Sequence, residues 1–77
     1  MTAEVRKLRA RLTEVERQIH EVEARLDDIG AALADPRLYT DGERVRAITG
    51  ERKNAEERVA WLMREWEDLS LELATHE

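Results

Sequence analysis

Cysteine and phenylalanine are both absent from this 77-residue chain. Without thiols, neither a disulfide framework nor a thiolate metal site is open to it. The aromatic complement is Tyr39, Trp61 and Trp66, and the one proline is Pro36. No run of ~20 apolar residues occurs, so no segment reads as a membrane span. No charged-then-apolar leader opens the sequence, so no secretion signal is expected and the cytoplasm is the expected location. The sequence has no GxxxxGK[ST] loop and no GxGxxG, and so no nucleotide cradle. His20 and His76 stand far apart, with no HExxH, so no metal site is expected. The acidic neighbours Asp27–Asp28 and Glu56–Glu57 would diverge on a helix and read as solvated surface. The chain is therefore expected to be neither an enzyme nor the holder of a cofactor.

Charged residues are abundant, at 40% of the chain, with 13 basic and 18 acidic side chains and a net charge of −5. Such a balance argues against strong nonspecific affinity for DNA. At this length the chain is one domain at most, and its composition suits long helices packed along a seam.

The apolar residues of the first half are Val5, Leu8, Leu12, Val15, Ile19, Val22, Leu26, Ile29 and Leu33, spaced alternately by three and four. That is an unbroken a/d heptad and predicts a coiled-coil helix. The second half repeats the pattern through Val45, Ile48, Arg52, Ala55, Val59, Leu62, Trp66, Leu69 and Leu73, with His76 in the next slot. The expected elements are a helix over about 3–34, a turn over 35–41 and a helix over about 42–75, in a single domain spanning 1–77. Thr2 and Asp41 are candidate N-caps. Asp35 is a candidate cap for a short turn begun by Pro36, since proline suits a first helical position.

Two helices of equal length joined by a short turn should fold back on each other, giving an all-α, two-helix antiparallel coiled-coil hairpin. Charge favours the same topology. Residues 1–13 hold Arg6, Lys7, Arg9 and Arg11 against Glu4, while residues 64–77 hold Arg64 against Glu65, Glu67, Asp68, Glu72 and Glu77. A hairpin lays these segments side by side, whereas a parallel dimer of extended helices would stack like on like. The favoured register sets Leu33 against Ile48, Ile29 against Arg52, Ile19 against Leu62, Val15 against Trp66 and Leu8 against Leu73; a shift of one heptad also keeps a against d. Trp66 then reads as a seam anchor. Arg52 reads as a snorkelling seam residue whose guanidinium reaches solvent or Asp27 and Asp28. A two-helix pair buries only one narrow stripe, so it is expected to lean on a dimer partner or on a larger protein.

Candidate contact residues lie in two places. Residues 35–54 carry Arg37, Arg44, Arg46, Arg52 and Lys53 against Asp35, Asp41, Glu43 and Glu51, so the turn region is locally basic while the remainder of the chain is acidic. A negatively charged partner is repelled least there, which makes Arg37, Tyr39, Arg44 and Arg46 candidate nucleic-acid contacts. Arg37 in particular has no evident structural duty. Leu38 and Tyr39 are expected to fold onto Leu33 and Val45 and close the seam. Trp61 sits off the seam at a c position: it is either a protein contact, as exposed aromatics often are, or lies flat along its own helix over Arg58 or Glu65.

The stretch ALADPRLYTDGERV, with REWEDLSLELA about twenty residues later, resembles the C-terminal coiled-coil domain of Uup-type proteins in the ABC-F family of ATP-binding cassette proteins. The matching positions are Leu33, Asp35, Pro36, Leu38 and Tyr39 in an L-x-D-P-x-L-Y turn, then Trp66 and Leu69. Glu65 stands where the family often has arginine, with Arg64 one place earlier. The resemblance implies a non-catalytic accessory domain that follows two ATPase cassettes in its parent chain and contacts DNA or the ribosome. DNA or ribosomal RNA at the hairpin tip, the upstream cassettes and a second copy of the chain are thus the candidate partners, and no membrane is among them. The alternative is a structural spacer or dimerisation hairpin without nucleic-acid binding. The helical arms of aminoacyl-tRNA synthetases share the two-helix pattern but not the D-P-x-L-Y turn with its late tryptophan.

Overall fold

The computed structural model describes residues 2–76. Two helices, α1 (Ala3–Leu33) and α2 (Gly42–Thr75), flank a short 3-10 helix over Pro36–Thr40, and α1 and α2 pack side by side in opposite directions. The result is an antiparallel hairpin 57 Å long and 14 Å across.

Each helix start is made by a side chain that accepts from an otherwise orphaned backbone N–H. Thr2 Oγ1 accepts from Val5 N at 3.1 Å, and an Asp41 oxygen accepts from Arg44 N at 3.1 Å. In the bend, Asp35 Oδ1 accepts from Arg37 N at 3.0 Å while Pro36 takes the first position of the 3-10 turn, where its missing N–H costs nothing.

The apolar seam condenses into two clusters. One centres on Val15, Ile19 and Leu62, with Val22, Val59 and Leu69 packed against them. The other, at the bend, joins Ile29, Leu38 and Ile48, flanked by Ala32, Leu33 and Val45. Between the clusters α1 offers Leu26, but α2 offers Arg52 and Ala55, and nothing at that level is fully buried. No polar or charged residue among those described is fully buried.

Register is visible in side chains that reach across the pair. Arg11 meets Glu65, Gln18 accepts from Arg58 at 2.8 Å, and Arg25 meets Glu51. From one tie to the next α1 advances a heptad and α2 retreats one. All six residues are g positions, so the ties run along a single edge of the hairpin. At its base His76 Nε2 lies 3.7 Å from Glu4 Oε1. The basic start of α1 thus lies beside the acidic end of α2.

The alignment lies between the favoured register and its one-heptad shift, with Ile29 packed against Ile48 and Val15 against Leu62, and two seam residues also depart from the sequence expectation. Trp66 does not anchor the interior opposite Val15: it is 38% exposed, whereas Leu62, one turn earlier, is 1% exposed and packs with both Val15 and Ile19. With that space filled by a leucine, an indole no longer fits between closely packed helices and lies at the rim. Arg52 does not reach Asp27 or Asp28. Its Nε donates to Glu56 Oε1, one turn along its own helix, at 2.8 Å, an arrangement that costs less side-chain order than a reach across the pair.

Leu62→Ala removes the most enclosed leucine and should cost about 3 kcal/mol, whereas Leu71→Ala, at a position 69% exposed, should cost less than ~0.5 kcal/mol. Urea unfolding followed by circular dichroism measures both. Equal effects would mean that the central cluster does not hold the pair together.

Candidate nucleic-acid interface at the hairpin tip

The tip is built inward from Leu38. This side chain is 8% exposed and closes the end of the seam by packing with Ile29 and Ile48. Its burial turns the flanking residues of the 3-10 turn outward. Tyr39 is not buried beside it. The ring is 58% exposed, and its hydroxyl donates to the Leu33 carbonyl at 2.6 Å. That carbonyl belongs to the last turn of α1, where no helical N–H remains to satisfy it, so Tyr39 caps the helix while its ring face stays open.

Arg37 has a structural duty that sequence reasoning did not find. Its guanidinium donates to both oxygens of Asp35, with Nη2–Oδ2 at 2.8 Å, while its own carbonyl accepts from Thr40 Oγ1 at 2.8 Å. The guanidinium beside Asp35 and the backbone N–H of Arg37 hold that carboxyl below its ordinary value, and the carboxylate in turn raises the Arg37 pKa. Even so, the Arg37 side chain is 90% exposed.

Arg44 and Arg46 differ from Arg37. Among the described residues no ion pair joins either guanidinium to a carboxylate. The Arg46 guanidinium lies back over the start of α2, with Nη1 3.4 Å from where a Cβ on Gly42 would stand. Arg44 shares a shallow open depression with Ala32, Asp35, Arg37, Leu38 and Asp41. Two acidic residues line that depression, but both are spent on backbone caps, Asp35 for the turn and Asp41 for α2. Asp41 thus faces the backbone, Asp35 is shared between the backbone and Arg37, and the Arg44 and Arg46 guanidinia have no carboxylate partner among the described residues.

The structure brings Arg37, Tyr39, Arg44 and Arg46 to one end of the hairpin and leaves Trp61 apart from them, about 22 Å along the axis of α2 from Arg46. Trp61 is 64% exposed, and Arg64 stacks on its ring with Cζ 4.5 Å from the centroid. The side chain over the ring is thus Arg64, one turn on, where the sequence suggested Arg58 or Glu65. Sequence reasoning also missed Met63, 41% exposed on the rim beside Trp66; its e position, next to the seam, was the available signal. The closest grouping of metal-ligating atoms among the described residues is Glu4, Glu72 and His76 at the base, within 4.8 Å of one another and all exposed. Exposed acidic groups adopt such arrangements without an ion, and Glu4 already faces His76. No helix in the described residues is long and apolar enough to cross a membrane.

Residues 4–71 match the family of ABC transporter C-terminal domains. The chain belongs to that family. The match covers both helices and the capped turn, so the hairpin is an accessory domain of ABC proteins and not a catalytic ATPase cassette. No curated protein and no solved structure gives a significant match.

Two outcomes are expected at the tip. Tyr39→Phe strips the cap from Leu33 and should lower stability by about 1 kcal/mol with the fold retained; an unchanged unfolding midpoint would show the hydroxyl to be idle. Because the Asp35 pKa is lowered on folding, its capping contribution is complete above the ordinary value of 3.8 and is lost as pH falls through the folded-state value below it. Carboxyl NMR should place the Asp35 midpoint under 3.8, and Arg37→Ala should move it upward.

Proposed function

We propose that this domain is the C-terminal arm of an ABC-F protein of the Uup type, that ATPase cassettes precede it in the parent chain, and that its tip contacts nucleic acid, either DNA or ribosomal RNA. The observation that carries the reading is the separation of charge at the tip. Asp35 and Asp41 are consumed as caps, while Arg44 and Arg46 lie in solvent with no carboxylate partner among the described residues. Arg37 stands at the same end, exposed but paired with Asp35. Phosphates engage such cations through charge-assisted bonds and release counterions as they do so. The open face of Tyr39 offers a platform for an unpaired base.

The domain supplies position, not chemistry. A rod 57 Å long carries its basic end away from whatever holds its base, and the acidic remainder of the rod is repelled by the same polyanion. Contact is therefore confined to the tip, and affinity for the isolated domain is modest and strongly dependent on salt. The membership of residues 4–71 in a family of ABC protein domains supports the placement beside cassettes, and the L-x-D-P-x-L-Y turn supports the subtype.

Fluorescence anisotropy with a short duplex DNA, a single-stranded DNA and a structured RNA tests this at low salt. Binding to duplex should fall with salt at a logarithmic slope of about −2 to −3, matching two or three neutralised phosphates. Arg44→Glu and Arg46→Glu should each abolish most of it. Absence of binding to all three probes at low salt would remove the tip as a nucleic-acid contact of this domain.

A further inference from the structure

The two long edges of the hairpin are finished differently. The g edge is closed by Arg11–Glu65, Gln18–Arg58 and Arg25–Glu51. On the opposite e edge, between the levels of Glu16 and Ala34, no hydrogen bond or ion pair crosses between the helices among the described residues. Two open grooves lie there instead. One runs past Ile19, Met63 and Trp66, the other past Leu26 and Leu33. Trp66 and Met63 are 38% and 41% exposed on this face, an expensive way to leave an indole and a thioether in water.

We propose that a second copy of this chain covers the open edge, packing parallel to the first about a two-fold axis that runs along the rod, so that α1 of each lies over α2 of the other in a four-helix bundle. Charge selects this arrangement. The Arg25–Glu51 tie fixes which residues stand level with each other, and at that level the α1 rim of the groove carries Glu23 and Asp27 while the α2 rim carries Arg52, Lys53 and Glu56, the last paired with Arg52, so that an acidic rim stands across from one that is basic on balance through Lys53. A parallel two-fold axis sets the acidic rim of one copy on the basic rim of the other, and does so twice. An antiparallel copy centred on Ile19 would instead face α1 with α1 and bring Glu16 against Glu23. The open stretch from the level of Glu16 to that of Ala34 runs about 27 Å along α1, roughly half of the 57 Å rod, and offers Ile19, Leu26, Leu33, Met63 and Trp66 as its apolar lining. The arrangement does not depend on what the tip contacts, and it places two tips at the same end.

Sedimentation equilibrium of the full chain should show a dimer. Trp66→Ala should weaken it at least tenfold with helix content retained. Glu23→Lys and Lys53→Glu should each weaken it by about tenfold, and the double variant should recover most of the loss, since it exchanges the two rims. The chain has no cysteine, so a spin label on Glu43→Cys reports direction. A parallel dimer brings the two labels to one end; an antiparallel one separates them by much of the 57 Å length. A monomer at millimolar concentration, a dimer indifferent to Trp66→Ala and to both charge reversals, or labels held far apart would each overturn the proposal.

Discussion

The seating of Leu62 against Val15 and Ile19 is the contact on which the rest of the hairpin depends. Two helices alone have one stripe to bury, and a stripe can slide. A single leucine held by two β-branched side chains from successive seam positions stops the slide, because moving it a turn either way exposes it. Once that register is set, the g positions of the two helices fall opposite each other, with complementary groups at three successive heptads. Those surface ties are individually weak. Their value lies in agreement: all report the alignment that the leucine imposes.

The bend solves a different problem. A chain that reverses between two long helices leaves the last carbonyls of one and the first N–H groups of the other without partners. Asp35, Tyr39 and Asp41 satisfy several of these groups with side chains, and Leu38 fills the hole where the helices part. Every carboxylate and apolar side chain of the turn is turned to internal use. Arg44 and Arg46 at the start of α2 are what remains for the outside, and the basic character of the tip follows from how the turn is built, in a chain whose overall charge is negative.

The features legible in the sequence were those decided locally. Three-and-four spacing specified two helices, and Thr2, Pro36 and Asp41 marked their ends, because caps and helical faces need only near neighbours. The pairing of charged halves specified the antiparallel return. What stayed hidden required knowing which side chains meet. Trp66 occupies a seam position in the heptad and yet lies on the rim, since the space between the helices was taken by Leu62. Arg52 chose Glu56 on its own helix over the aspartates of the other. Arg37, whose duty the sequence did not disclose, closes on Asp35 two residues back; that pair was visible as a sequence neighbour but not as a geometry. At the candidate site, the grouping of Arg37, Tyr39, Arg44 and Arg46 was readable from their nearness in the chain. The distinction between the paired and the unpaired cations was not.

The gap between the two apolar clusters gives the rod a waist. At the level of Arg52 and Ala55 the seam holds no fully buried side chain, and the Arg25–Glu51 bridge spans the pair there on one side only. Each end has its own enclosed core, whereas the middle is held by the half-buried Leu26 and Ala55 and one ion pair. A load applied at the tip is therefore absorbed at the waist.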